Sequence, residues 1–299
     1  MAKSTKPKQA EPVESKEVAK VEPVEAGLPV TYDFGADAGA GFEDQSAADY
    51  ALPFISVLQA NSPQVEGEDS ALKGGMLLNT VTEEAYSGKT GLEFIPAKTE
   101  HCFVEWVPRD NGGGFVAKHD ENSPIVLKAK ETSKEYGKLV TPAGNDLVET
   151  FYVYGVIVDE SGIPGQMAVI AFTSTKIKVY RNFNTKINMF VHKKYGIPAK
   201  PPLFAHRIRV ASFKDKNKKG DFYNFVLSHA EADEKTEKGI VPAILKSLMT
   251  PDDPRYQAGK QCKELVESGM AKASYETQGA AAGAGSEEVV DVNSSAAPF

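Results

Sequence analysis

Thirteen lysine and arginine side chains fall between Lys176 and Lys219, and Asp215 is the only acid among them. The cations are Lys176, Lys178, Arg181, Lys186, Lys193, Lys194, Lys200, Arg207, Arg209, Lys214, Lys216, Lys218 and Lys219. Outside them stand 21 of the chain's 34 cations against 40 of its 41 anions, so a formal charge of −7 divides into a segment near +12 and a remainder near −19. Solubility alone gives no cause to segregate charge so sharply. A surface that holds a polyanion on one side and repels it elsewhere does. Rings run through the same stretch and just past it: Tyr180, Phe183, Phe190, Tyr195, Phe204, Phe213, Phe222, Tyr223 and Phe225. Cations neutralise phosphates, and a base stacks on a ring for about 1–3 kcal/mol whatever its identity.

Side-chain alternation on a strand after His206 puts Arg207, Arg209, Ala211 and Phe213 on one face and Ile208, Val210 and Ser212 on the other. Guanidinium groups beside an aromatic ring suit single strands, whereas duplex readers present a recognition helix to a groove, and no helix-turn-helix or zinc pattern is present. The candidate contacts are therefore Lys178, Arg181, Lys186, Lys193, Arg207, Arg209, Phe213, Lys214, Lys216, Lys218, Lys219 and Tyr223. Competing readings stand beside these. Phe183 and Phe190 fit the apolar stripe of a helix, Phe222 and Phe225 cannot both face outward on one strand, and Lys214–Gly220 reads equally well as a solvated hairpin tip.

No other residue pattern carries catalytic chemistry. Three glycines, Gly112 to Gly114, follow Arg109 and could let a phosphate approach the backbone, but no Gly-Lys-Ser/Thr follows and a hairpin tip explains them as well. The five histidines (His101, His119, His192, His206, His229) show no metal-ligand spacing, and no serine lies in a G-x-S-x-G context. The expectation is a protein that is not an enzyme and needs no metal or cofactor. Cys102 and Cys262 form no disulfide framework, which fits a reducing cytoplasm. The N-terminus lacks the apolar core of a signal peptide, and no apolar run is long enough to span a membrane.

The elements that must position the basic segment are mostly short strands. Met76–Val81, Leu92–Pro96 and His101–Val107 read as separate strands, with Asn111–Val116 as a hairpin connection. Phe151–Val158 and Met167–Phe172 flank the turn residues Asp159–Gly165, a strong hairpin signal. The period then changes: Ile177, Tyr180, Phe183, Ile187, Phe190 and Val191 share one helical stripe, with Lys178, Arg181, Thr185, Lys186 and Lys193 opposite. A hairpin joins His206–Phe213 to Asp221–Leu227, and a last helix runs from about Asp253 to Ala271. The fold class expected is mainly β with α additions: an OB-like β-barrel core, an inserted amphipathic helix and disordered termini. Residues 1–48 form an arm of mixed charge, 49–272 a single β-rich domain and 273–299 a flexible acidic tail.

That tail has no lysine or arginine from Glu276 onward, and Gly279–Gly285 is a run of small residues. With Glu287, Glu288, Asp291 and the ending Pro298-Phe299, it resembles the tails of bacteriophage single-stranded DNA-binding replication proteins. The basic-aromatic stretch 176–225 and the β-rich middle add to the resemblance. It implies sequence-independent coating of single-stranded DNA in replication, recombination and repair. It also implies a tail that recruits a polymerase, helicase or primase. Two alternatives stay open, a phage recombinase that anneals strands and a virion or scaffold protein, and homo-oligomerisation is open as well.

Overall fold

The computed structural model describes residues 40–41, 51–65, 71–133, 138–217, 220–237, 239–273 and 275. The chain divides into two units, residues 1–44 and 45–299, and the architecture below is that of the second. The termini expected to be disordered lie outside the described residues, apart from Ala40, Gly41, Ala273 and Tyr275.

The strands are β1 (Ile55–Val57), β2 (Leu77–Asn79), β3 (Ala85–Tyr86), β4 (Leu92–Trp106), β5 (Phe115–His119), β6 (Leu139–Val140), β7 (Asp146–Val158), β8 (Pro164–Thr173), β9 (Ile208–Asn217), β10 (Gly220–His229), β11 (Glu234–Thr236) and β12 (Gly239–Val241). The helices are α1 (Pro124–Thr132), α2 (Thr175–Asn188), α3 (Ala243–Lys246) and α4 (Pro254–Glu267). Seven strands form one antiparallel sheet in the order β10-β9-β4-β7-β6, with β5 beside β4 and β8 beside β7. β1, β2 and β3 form a small second sheet, and β11 and β12 a separate hairpin.

The protein is mainly β, as its sequence predicts, but its sheet does not close into a barrel. Residues 53–59, which include β1, reach from β8 to β10 without forming a ladder with either. At one end the Val169 N–H donates to the Pro53 carbonyl at 2.9 Å. At the other, the Gln59 amide accepts from the Tyr223 N–H at 2.8 Å and donates to the Tyr223 carbonyl at 2.9 Å. One side chain thus satisfies the edge of β10 at that point, where a further strand would otherwise pair.

Leu92–Pro96 and His101–Trp106 belong to a single 15-residue strand, with Val107 just beyond its end. Proline within an apolar run reads as a stop because it removes a ladder donor. Here the pairing of β4 with β7 shifts register between Pro96 and Lys98, and that bulge lets the strand continue. Helix α1 has no counterpart in the sequence reading; its buried side chains are only Val126 and Ala129, too few to mark a stripe.

The largest core cluster lies between the sheet and α2. Phe94 of β4, Val153 and Ile157 of β7, Ile170 and Phe172 of β8, Ile208 and Val210 of β9 and Phe225 of β10 pack against Tyr180, Phe183 and Ile187. The opposite face of β4 and β7 presents Ile95, Ala97, Val156 and Val158 to Cys262 on α4. α4 begins where the sequence predicts, with the Asp253 carboxylate accepting from the Arg255 N–H at 2.8 Å as an N-cap. α2 ends at Asn188, so Phe190 and Val191 leave the helical stripe and Val191 is exposed.

Candidate nucleic-acid interface

α2 fixes the first part of the basic segment. With Ile177, Tyr180, Phe183 and Ile187 committed to the core, helical spacing leaves Lys178, Arg181, Thr185 and Lys186 exposed. Lys178 and Lys186 have no ion pair among the described residues. Arg181 Nη2 lies 3.0 Å from Glu149 Oε1, and its guanidinium sits 5.3 Å from the centre of the Phe151 ring.

After Met189 the chain turns through a short 3-10 segment, His192–Tyr195. His192 Nδ1 lies 2.8 Å from the Ile197 carbonyl, and Lys200 Nζ donates to Asn188 Oδ1 at 2.8 Å, so the turn folds back on the end of α2. Lys193, Lys194 and Lys200 are exposed there. From Lys176 to Lys200 there are seven cations and no acid, and Arg181 alone among them is held in an ion pair by a described residue. Lys194, Lys200, Phe190 and Tyr195 were not among the contacts singled out from the sequence. The signal that could have found them is the acid-free stretch continuing past the helix.

The second part of the segment behaves differently. Arg207 and Arg209 do share a face, as alternation predicts, because both reach Glu93. Arg207 Nη1 lies 3.1 Å from Glu93 Oε1, Arg207 Nη2 3.1 Å from Glu231 Oε1, and Arg209 Nη2 3.7 Å from Glu93 Oε2. Arg255 adds a third guanidinium 3.9 Å from Glu93. The side chains of Arg207 and Glu93 are only 12% and 14% exposed. These arginines hold β9 to β4 and α4, and Arg207 has no cationic surface left to offer a phosphate.

Tyr223 is also committed to the fold. Its ring packs on the backbone at Gly74 and Gly75, where a Cβ on Gly75 (φ +92) would lie 2.7 Å from the ring. Phe213 is 40% exposed and so is available. Lys214 is exposed but lies 2.7 Å from Asp221, while Lys216 is exposed with no ion pair among the described residues. Lys218, Lys219 and the tail residues Glu287, Glu288, Asp291, Pro298 and Phe299 lie outside the described residues.

The glycine tip between β4 and β5 has φ of +100, +67 and +124 at Gly112, Gly113 and Gly114. The N–H groups of Gly112 and Gly113 already donate to the Arg109 and Pro108 carbonyls, at 3.0 and 3.1 Å, so the tip is a self-satisfied turn. Trp106 packs edge-on against Phe115 at 5.9 Å between centroids. Cys102 and Cys262 are buried, and burial pushes both thiols up to about 12, far from the reactive thiolate. Among the described residues no cluster of three His, Cys, Asp or Glu could hold a metal, and no helix is long and apolar enough to cross a membrane.

Comparison with known families identifies this as a bacteriophage protein. Residues 20–272 match the Pam3 phage gp34-like protein family, and the chain belongs to it. No curated protein and no solved structure matches the chain.

Proposed function

We propose that this phage protein binds single-stranded DNA without sequence preference, through the outer face of α2 and the turn that follows it. The role would be in phage replication, recombination or repair, with the acidic C-terminal residues recruiting a replication protein. The observation that carries the reading is the acid-free run of cations from Lys176 to Lys200, of which only Arg181 is ion-paired by a described residue. Cations near the end of a helix also complement its dipole, but that effect is confined to the last turn. Lys178 lies in the first turn of α2, where a cation is unfavourable, so the dipole does not explain the whole run.

The proposal does not require a closed OB barrel. It requires a rigid support for the cations, and α2 anchored on β7, β8 and β10 supplies one.

The test is fluorescence anisotropy with labelled oligothymidine at several salt concentrations, comparing the wild type with a Lys186→Ala, Lys193→Ala, Lys194→Ala triple variant. Each neutralised phosphate contributes roughly 0.7 to the slope of log affinity against log salt on a single strand, so the triple variant should flatten it by about 2. Its melting temperature should not change, because all three side chains are exposed. Wild-type protein that fails to bind oligothymidine at low salt would refute the function. Binding with an unchanged slope in the variant would refute the location.

A further inference from the structure

We infer that Tyr195 is the stacking platform of this surface, and that a base packed on its ring, rather than charge, sets the preference for single strands over duplex. The inference rests on the nucleic-acid reading above. Phe190 and Tyr195 stack with centroids 5.7 Å apart and planes inclined by 18°. The turn from Met189 to Gly196 brings the two rings together, and Gly196 (φ +75) closes it with its N–H on the His192 and Lys193 carbonyls. Phe190 is half-buried while Tyr195 is 37% exposed. The Tyr195 ring is thus backed by a half-buried ring and still open to solvent. Holding it there beforehand removes part of the ordering cost that a mobile side chain would meet on binding.

The surroundings specify the chemistry of the occupant. Lys194 Nζ lies 5.7 Å from the centre of the Tyr195 ring, and exposed Lys193 is adjacent. Met189 and Val191, 74% and 65% exposed, lie in the same turn. No carboxylate occurs from Lys176 to Lys200. An exposed ring with a lysine over it, in a stretch without acid, is complementary to a flat, apolar group carrying phosphate, which is an unstacked nucleotide. Lys194 is then placed to move from the ring to the phosphate. In a duplex the bases are stacked on one another and offer no face to Tyr195, so only the cations remain to bind it.

Phe213 offers a poorer platform although its exposure is similar. Asp215 lies two residues along the same strand face, Arg207 is spent on Glu93, Arg209 is paired with Glu93 at 3.7 Å, and Lys214 is paired with Asp221. A phosphate beside Phe213 would meet Asp215 and paired cations, with Lys216 the one cation of β9 that has no ion pair among the described residues.

The test compares wild type with Tyr195→Ala, Tyr195→Leu and Tyr195→Trp on labelled oligothymidine and on a hairpin duplex. Leucine keeps an apolar contact with Phe190 but has no π face, so it separates stacking from support of the turn. Both Tyr195→Ala and Tyr195→Leu should weaken oligothymidine binding about tenfold with the salt slope unchanged, and leave duplex affinity unaltered. Tyr195→Trp should retain affinity, and its fluorescence should be quenched by oligothymidine beyond any change of the native Trp106. Wild-type affinity in Tyr195→Leu, or an unquenched Tyr195→Trp in protein that binds oligothymidine, would overturn the inference and leave the DNA-binding reading standing. An equal loss on duplex and oligothymidine would overturn it too. Absence of wild-type binding at low salt would remove the functional reading and this inference together.

Discussion

Arg207→Ala separates a cation that builds the fold from one that contacts a ligand. Removing the guanidinium deletes two 3.1 Å ion-pair hydrogen bonds, to Glu93 and Glu231, and a longer 3.4 Å bond to the Lys246 carbonyl. A hydrogen bond to a charged group contributes about 1.5–3 kcal/mol, and stranding a buried charge costs about 3–5 kcal/mol. The Glu93 side chain is 14% exposed and keeps Arg209 at 3.7 Å and Arg255 at 3.9 Å, so it is not fully stranded. Glu231 is 41% exposed and regains water. The expected loss is therefore at the lower end, about 3 kcal/mol, or roughly 10 °C in melting temperature for a domain of this size. Urea denaturation and differential scanning fluorimetry measure it, and oligothymidine anisotropy on the folded fraction measures binding. The variant should be less stable and bind as wild type does. Wild-type stability together with weakened binding would refute the reasoning and return Arg207 to the contact surface that strand alternation suggests.

Two further predictions concern acid. His206 is buried, and that burial, with the charges of His229 and Lys200, lowers its pKa from 6.5 to about 4. The unfolded chain therefore takes up a proton between those values that the folded chain does not, and stability should fall by up to about 3 kcal/mol as pH drops from 6.5 towards 4. Urea melts across that range should show the slope, and His206→Gln should flatten it, leaving the share of His229, whose burial also lowers its pKa; an equal slope in the variant would assign it elsewhere. Glu105 acts lower on the scale. Burial opposes its ionised form, but bonds from Asn145 (2.7 Å), His119 (2.7 Å) and Thr141 (3.3 Å), with the charge of His119, outweigh it and hold the carboxyl below its usual range. Its stabilisation is present above the unfolded value of 4.5 and is lost as pH falls through the lower folded one. Glu105→Gln should cost about 2 kcal/mol in urea melts at neutral pH and progressively less in acid; a cost independent of pH would mean packing, not charge, is at stake.

What the sequence reveals here follows the range of the interaction. Hairpins at Asp159–Gly165 and around Lys214–Gly220 were legible because turn chemistry is local. The buried stripe of α2 and the start of α4 were legible because helical signals are local too. The same reasoning placed Arg207 and Arg209 correctly on one strand face. It could not foresee their fate, because Glu93 lies 114 residues before Arg207 and becomes its neighbour only when β4 pairs with β9. Tyr223 makes the same point: its ring packs on Gly74 and Gly75, far back in the chain, and its backbone bonds Gln59, 164 residues away. Charge segregation is therefore readable from one strand of sequence, whereas charge availability is not, since any carboxylate the fold delivers can cancel a cation. This explains why the acid-free stretch is more informative than the total of +12. A stretch that carries no acid can be neutralised only by elements packed beside it, and α2 meets the core with apolar side chains. Of its cations, Arg181 alone finds a carboxylate among the described residues, on β7.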